Sequence, residues 1–77
     1  SMEREGAYRL CVVNRNIPNM IGQMSAFLAH EHVNIENMVN RSKKDYAYTI
    51  VDTNSRLTSE ILAHLLAVDD ILSARVI

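Results

Sequence analysis

The chain has 77 residues, which is enough for one domain and too short for two. Eight basic and nine acidic side chains give a net charge of −1 without a basic stripe, so the composition gives no support to nucleic-acid binding. No apolar run approaches the roughly 18–20 residues of a membrane span. The single cysteine, Cys11, rules out an internal disulfide and fits a reducing compartment, so we expect a cytoplasmic protein.

The first residues differ in character from the rest of the chain. Ser1 and Met2 resemble a cloning scar, and the charged residues that follow end at Gly6. We therefore expect a tag or linker over residues 1–6, one domain over residues 7–77, and a chain excised from a longer protein. A core of this size supplies roughly 3–5 kcal/mol, so association with another copy would help to stabilise it.

The first half of the domain is predicted to form a strand followed by a helix. Strand-forming residues occupy positions 8–13, where Cys11 is expected to be a buried small hydrophobe. The apolar residues after Pro18 recur with a helical period, and Pro18 itself fits the first helical turn. This apolar face contains Ile21, Met24, Phe27 and Leu28.

The second half predicts two strands, a helix and a last strand. The two strands cover 33–41 and 46–52 and are separated by a polar turn at 42–45. Thr58 is a plausible N-cap for a helix whose apolar face contains Ile61, Leu62, Leu65 and Leu66. The last strand covers 71–76. The order βαββαβ with right-handed crossovers predicts a ferredoxin-like α+β fold, in which two helices cover one face of a four-stranded antiparallel sheet.

This fold leaves an edge and a face of the sheet uncovered. The second strand is an edge, and residues 34–40 contain no proline or lysine to block pairing, so we expect a homodimer through this segment. The third strand has apolar residues on both faces, with Tyr46, Tyr48 and Ile50 on the side away from the helices. Either something else covers this side or the tyrosines tolerate half-exposure.

Polar residues between the first strand and the first helix form the best candidate for a ligand site. A carboxamide both donates and accepts hydrogen bonds, so Asn14 and Asn16 suit a small polar ligand. The alternatives are that these residues only satisfy turn amides, that Asn34 is a turn residue and that Met20 fills the core. His30, His32 and His64 are expected at the surface, and no metal site is predicted.

Three other uses of this fold fit the residues less well. RNA-recognition modules need stacking aromatic residues on the first and third strands together with basic residues. Metal chaperones need a pair of cysteines after the first strand. Acyl-phosphate hydrolases need a glycine-rich cradle, which is missing around Arg15.

Four segments in order resemble the sequence pattern of ACT domains. They cover residues 14–21, 33–38, 45–52 and 71–77. Among ACT domains the chain is most similar to the carboxy-terminal regulatory domain of D-3-phosphoglycerate dehydrogenases. This resemblance implies a parent enzyme that uses NAD in L-serine biosynthesis, and a fragment that itself carries neither catalysis nor a cofactor.

The resemblance also implies a binding site for serine or a similar small amino acid at a dimer interface. One copy would supply the loop, and the second copy would supply Asn34. Asn14 stands where serine-sensing relatives often have histidine, and Asn19 stands where glycine is usual. A structural dimerisation module without a ligand is the alternative function. The implied effector-binding residues are Asn14, Asn16, Pro18, Asn19, Met20 and Asn34.

Overall fold

The computed structural model describes residue 3 and residues 6–77. Most of the predicted tag or linker therefore lies outside the described residues. Two helices and four strands follow in the predicted order: β1 (Tyr8–Arg15), α1 (Met20–His30), β2 (Ile35–Lys43), β3 (Tyr46–Thr53), α2 (Ser59–Leu66) and β4 (Ile71–Val76).

The four strands form one antiparallel sheet in the order β2-β3-β1-β4. This order confirms the predicted ferredoxin-like fold. It also confirms that β2 is an edge of the sheet, and β4 forms the other edge. Neither helix in the described part of the chain is long and apolar enough to cross a membrane.

The core lies between the two helices and one face of the sheet. Successive strand residues point to opposite faces, so every second residue of β1 and β3 points towards the helices. From the helix side, α1 contributes Met20, Met24 and Leu28, and α2 contributes Leu65. The prediction that Leu66 belongs to the core is wrong, because it follows Leu65 by about 100° around the helix and is 46% exposed. The buried apolar strand residues are Leu10, Val12, Ala47, Val51 and Ile71.

The two helices begin in different ways. The Thr58 hydroxyl accepts a hydrogen bond from the Ile61 amide at 3.2 Å, which confirms the predicted cap of α2. At α1 the N-cap residue is Asn19, whose side chain makes no capping hydrogen bond and whose φ of 69° is left-handed. Pro18 therefore precedes the helix instead of lying in its first turn, because the chain needs the left-handed residue to enter α1.

Two predicted boundaries move because strand pairing continues further than the apolar pattern. β1 extends to Arg15, since Asn14 pairs with Ala47 and Arg15 pairs with Tyr46. β2 likewise extends to Lys43, and the polar turn shrinks to two residues. The edge strand therefore ends in a lysine, and the prediction of an edge without lysine holds only for its first part.

Candidate functional site

Asn14 lies in β1 with its side chain buried against the helices, 1% exposed. Its Oδ1 accepts a hydrogen bond from the Thr49 hydroxyl at 3.0 Å, and that hydroxyl accepts one from Asn40 Nδ2 at 2.8 Å. Asn14 Nδ2 donates to the carbonyl of Arg15 at 2.9 Å. These hydrogen bonds form a polar network that joins β1, β3 and β2 on the helix side of the sheet.

Asn16 joins the loop after β1 to the turn between β2 and β3. Its backbone amide donates to the Asp45 carbonyl at 2.8 Å, and its Nδ2 donates to the Lys44 carbonyl at 2.9 Å. Its Oδ1 accepts from the Ser42 hydroxyl at 3.2 Å. A carboxamide has two donor hydrogens and two acceptor lone pairs, so these contacts leave one of each for a ligand.

Most residues at the start of α1 are exposed. Pro18 and Asn19 are exposed, whereas the Met20 side chain is 3% exposed and belongs to the core. In the described part of the chain, the Asn19 side chain makes no capping hydrogen bond and the first turn of α1 contains no acidic residue. Such an end carries a partial positive charge and unsatisfied N–H groups, which suit a carboxylate.

A shallow depression of about 290 Å³ runs from this end along the outer surface of α1. It is lined by Asn19, Gly22, Gln23 and Ala26. A Cβ atom at Gly22 would meet no atom within 4 Å, so the space beside the helix is open. In a single copy the depression is therefore open to solvent on the side away from α1.

Asn34 lies at the other end of β2 from Asn16. Its backbone amide donates to the Ser55 hydroxyl at 3.1 Å, and its carbonyl accepts from the Thr53 hydroxyl at 2.7 Å. Its Nδ2 makes only a long contact of 3.5 Å with Glu36 Oε2, so the carboxamide is exposed and weakly held. Within one chain, the predicted loop residues and Asn34 are not brought together.

The strongest ion pair in the sheet was not identified from the sequence. Arg9 Nε lies 2.7 Å from Asp52 Oδ1, and Arg9 Nη2 lies 2.9 Å from Oδ2 of the fully buried Asp52. The hydrogen bonds to Asp52 raise the pKa of the Arg9 guanidinium above its ordinary value. The sequence does contain a charged residue in each of two mostly apolar strands, Arg9 in β1 and Asp52 in β3. Their pairing could not be predicted without the register of β1 on β3.

The remaining reactive side chains do not converge on a site. The three histidines are exposed, as predicted, and His64 Nδ1 lies 3.4 Å from Glu31 Oε1. Cys11 is half-buried instead of buried, because it points to the side of the sheet without helices. Across residues 6–77, no three metal-ligating side chains are clustered.

Comparison with known proteins finds structures of similar fold but no similar sequence. No protein-family model matches the chain, and no curated protein matches it in sequence. The solution NMR structure of the ACT domain of GTP pyrophosphokinase from Chlorobium tepidum is similar to 91% of the chain over 83% of its own length, with 14% identity and a TM-score of 0.73. The crystal structure of that domain has the same TM-score at 12% identity, and the match covers 91% of this chain and 95% of that one.

A third similar structure is the ligand-free regulatory subunit of aspartate kinase from Thermus thermophilus. It has a TM-score of 0.72 and 12% identity, and the match covers 91% of this chain and 49% of that one. At such low identity these similarities establish a shared fold. The chain thus has the fold of ACT domains, and its resemblance to the dehydrogenase domain stays a prediction from sequence.

Proposed function

We propose that the chain is a regulatory ACT domain that forms a homodimer through β2 and binds a small amino acid, serine by resemblance, between its two copies. Its parent would be an NAD-dependent D-3-phosphoglycerate dehydrogenase, with catalysis and NAD in other domains. One observation carries the proposal: the uncapped start of α1 lies beside a depression that is open on the side where a second wall is needed.

The open edge of β2 supports the dimer. An edge strand presents unpaired N–H and C=O groups, and β2 has nine residues without proline. Antiparallel pairing of two copies centred on Val39 sets Asn34 of one copy opposite Lys44 of the other, since both lie five residues from Val39. Lys44 is the residue whose carbonyl binds Asn16, so this register brings Asn34 to the partner's loop.

The chemistry of a free amino acid fits the groups collected there. The first-turn amides of α1 suit the carboxylate, and the carboxamide oxygens of Asn16 and the second copy's Asn34 suit the ammonium group. The helix end alone contributes about 0.3–1 kcal/mol, whereas micromolar affinity needs about 8 kcal/mol. Contributions from two chains would supply part of the difference, and they would connect ligand binding with the subunit contact.

Calorimetry of the domain with L-serine, glycine and L-alanine tests the ligand. We expect heat with serine and a Kd that Asn34→Ala raises by roughly 5- to 150-fold, because stranding a polar group of the ligand costs about 1–3 kcal/mol. Glu60→Ala is the control, since Glu60 is an exposed residue of α2, away from β2 and from the start of α1. If millimolar serine produces no heat and no shift in Tm, the proposed sensing function is refuted.

The second candidate is a dimerisation module that binds no ligand. It is favoured by the internal hydrogen bonds of Asn14 and Asn16, which give both side chains a structural role. This module predicts a dimer whose dissociation constant is the same with and without serine. Sedimentation equilibrium at both conditions separates the two candidates, because a sensor dimer is tightened by its ligand.

A further inference from the structure

The face of the sheet opposite the helices, here called the open face, is apolar in its middle. Its central residues come from three neighbouring strands, and neither helix covers them. Tyr46 is 46% exposed and Tyr48 is 50% exposed, so the expectation of two apolar faces on β3 is met. The other apolar residues of this face, all half-buried, are Cys11, Val13, Val39 and Ile50.

A groove of about 530 Å³ runs over β1 on this face. Cys11 and Val13 form its floor, since their neighbours in register lie on β3 and β4. One wall contains Tyr48 and Ile50, and the other contains Ser73 and Arg75. A groove with an aliphatic floor and an aromatic wall can bury the apolar side chains of a partner.

Positive charges border the groove on both sides. Arg41 and Lys43 lie on β2, and Arg75 lies on β4. Register places Arg41 beside Tyr48 and Arg75 beside Cys11, so these cations share the open face with the groove. Within residues 6–77, no carboxylate forms an ion pair with any of these three side chains.

Two acids of the neighbouring strands lie near this face, but neither lines the groove. Asp52 is fully buried and binds Arg9 with both oxygens. Glu36, at the bulge of β2, accepts a hydrogen bond from Asn54 at 2.8 Å. The open face is therefore cationic, although the chain as a whole has a net charge of −1.

We propose that the open face is the docking surface for an acidic amphipathic helix of another protein or domain. Leucine-like side chains of that helix fill the groove, and its flanking carboxylates pair with Arg75 on one side and Arg41 and Lys43 on the other. Opposite charges at the rim set the orientation of the partner and speed its association. This surface lies on the other side of the sheet from α1, so it does not depend on the proposed amino-acid site.

Two other occupants fit the observations less well. A second copy stacked face to face would bring the two cationic rims together, and like charges across an interface are unfavourable. Single-stranded RNA needs aromatic residues on two adjacent strands for stacking, whereas the floor on β1 consists of Cys11 and Val13. Both remain as outcomes that the experiment distinguishes.

Fluorescence anisotropy with a labelled helical peptide tests the proposal. The probe has leucines along one helix face with glutamates on both flanks, and its control peptide has lysine at every glutamate position. We expect the acidic peptide to bind, the basic peptide not to bind, and added salt to weaken the binding. Arg75→Ala raises Kd by at least about threefold and Tyr48→Ser by about fivefold.

Arg56→Ala is the matched control, because Arg56 is exposed before α2, and it leaves Kd unchanged. Arg75 is exposed as well, so its variant keeps the test valid if Tyr48→Ser does not fold. The proposal is overturned by equal binding of the two peptides or by the absence of binding. It is also overturned if a ten-nucleotide uridine oligomer binds in their place, or if Arg75→Ala changes only the self-association of the chain in sedimentation.

Discussion

Replacing Thr49 with valine tests the buried polar chain that crosses the sheet. Valine keeps the shape of threonine and removes the hydroxyl, which accepts from Asn40 at 2.8 Å and donates to Asn14 at 3.0 Å. Asn14 is 1% exposed, so its Oδ1 loses this hydrogen bond without access to water, at a cost of about 1–3 kcal/mol. Asn40 is half-buried and can turn to solvent, so it adds less.

We therefore expect Thr49→Val to lower the free energy of unfolding by about 2 kcal/mol. For a chain of this length that corresponds to a fall in Tm of roughly 8–16 °C. Urea unfolding followed by circular dichroism measures the change, and Thr49→Ser, which keeps the hydroxyl, is the control. The loss should be the same with and without serine, because the hydrogen bonds lie within one chain.

A double-mutant cycle with Asn14→Ala assigns the loss to the hydrogen bond and not to general repacking. Once Asn14 has been removed, Thr49→Val should cost at least about 1 kcal/mol less than in the unmodified chain. Additive costs for the two substitutions would refute the reasoning. A Thr49→Val variant with the stability of the unmodified chain would also refute the reasoning, because the Asn14–Thr49 hydrogen bond would then not stabilise the fold.

Two further substitutions test the dimer and the start of α1. Val39→Asp should convert the proposed dimer to a monomer in sedimentation velocity, because pairing centred on Val39 sets the two new charges against each other. The control Leu72→Asp, at the exposed edge strand β4, should leave the dimer intact. An unchanged dimer for Val39→Asp would exclude this pairing. Asn19→Val should lower stability by about 1–2 kcal/mol in urea unfolding, because a β-branched residue resists the left-handed φ of 69°, whereas Asn19→Gly should stay within about 0.5 kcal/mol of the parent. Equal stability of the two Asn19 variants would contradict this explanation.

The order of the elements could be predicted from the sequence because each element has a strong local signal. Apolar residues recur with a period of two in the strands and of 3.6 in the helices, and Thr58 marks the start of α2. Strand ends were harder, since Asn14 and Arg15 are polar and their place in β1 depends on pairing with β3. The alternation Leu10, Val12, Asn14 did contain the information that Asn14 points towards the helices.

The candidate site was harder to predict from the sequence than the fold, for a different reason. A hydrogen bond such as that from Asn16 to the carbonyl of Lys44 joins residues that are far apart in sequence, and no composition rule predicts it. Asn34 poses a larger difficulty, because the residues expected to meet it belong to a second copy. A single chain encodes the complementary surfaces, but their meeting depends on the symmetry of an assembly.

The contacts of Asn16 have a mechanical consequence for the proposed dimer. Three hydrogen bonds of Asn16 connect the loop before α1 to the hairpin end of the edge strand, so we expect the two segments to move together. In the proposed dimer, a neighbouring strand that twists β2 would therefore shift the Asn16 carboxamide together with the loop that leads into α1. Ligand binding and subunit association are then coupled, and each changes the affinity of the other by the same factor.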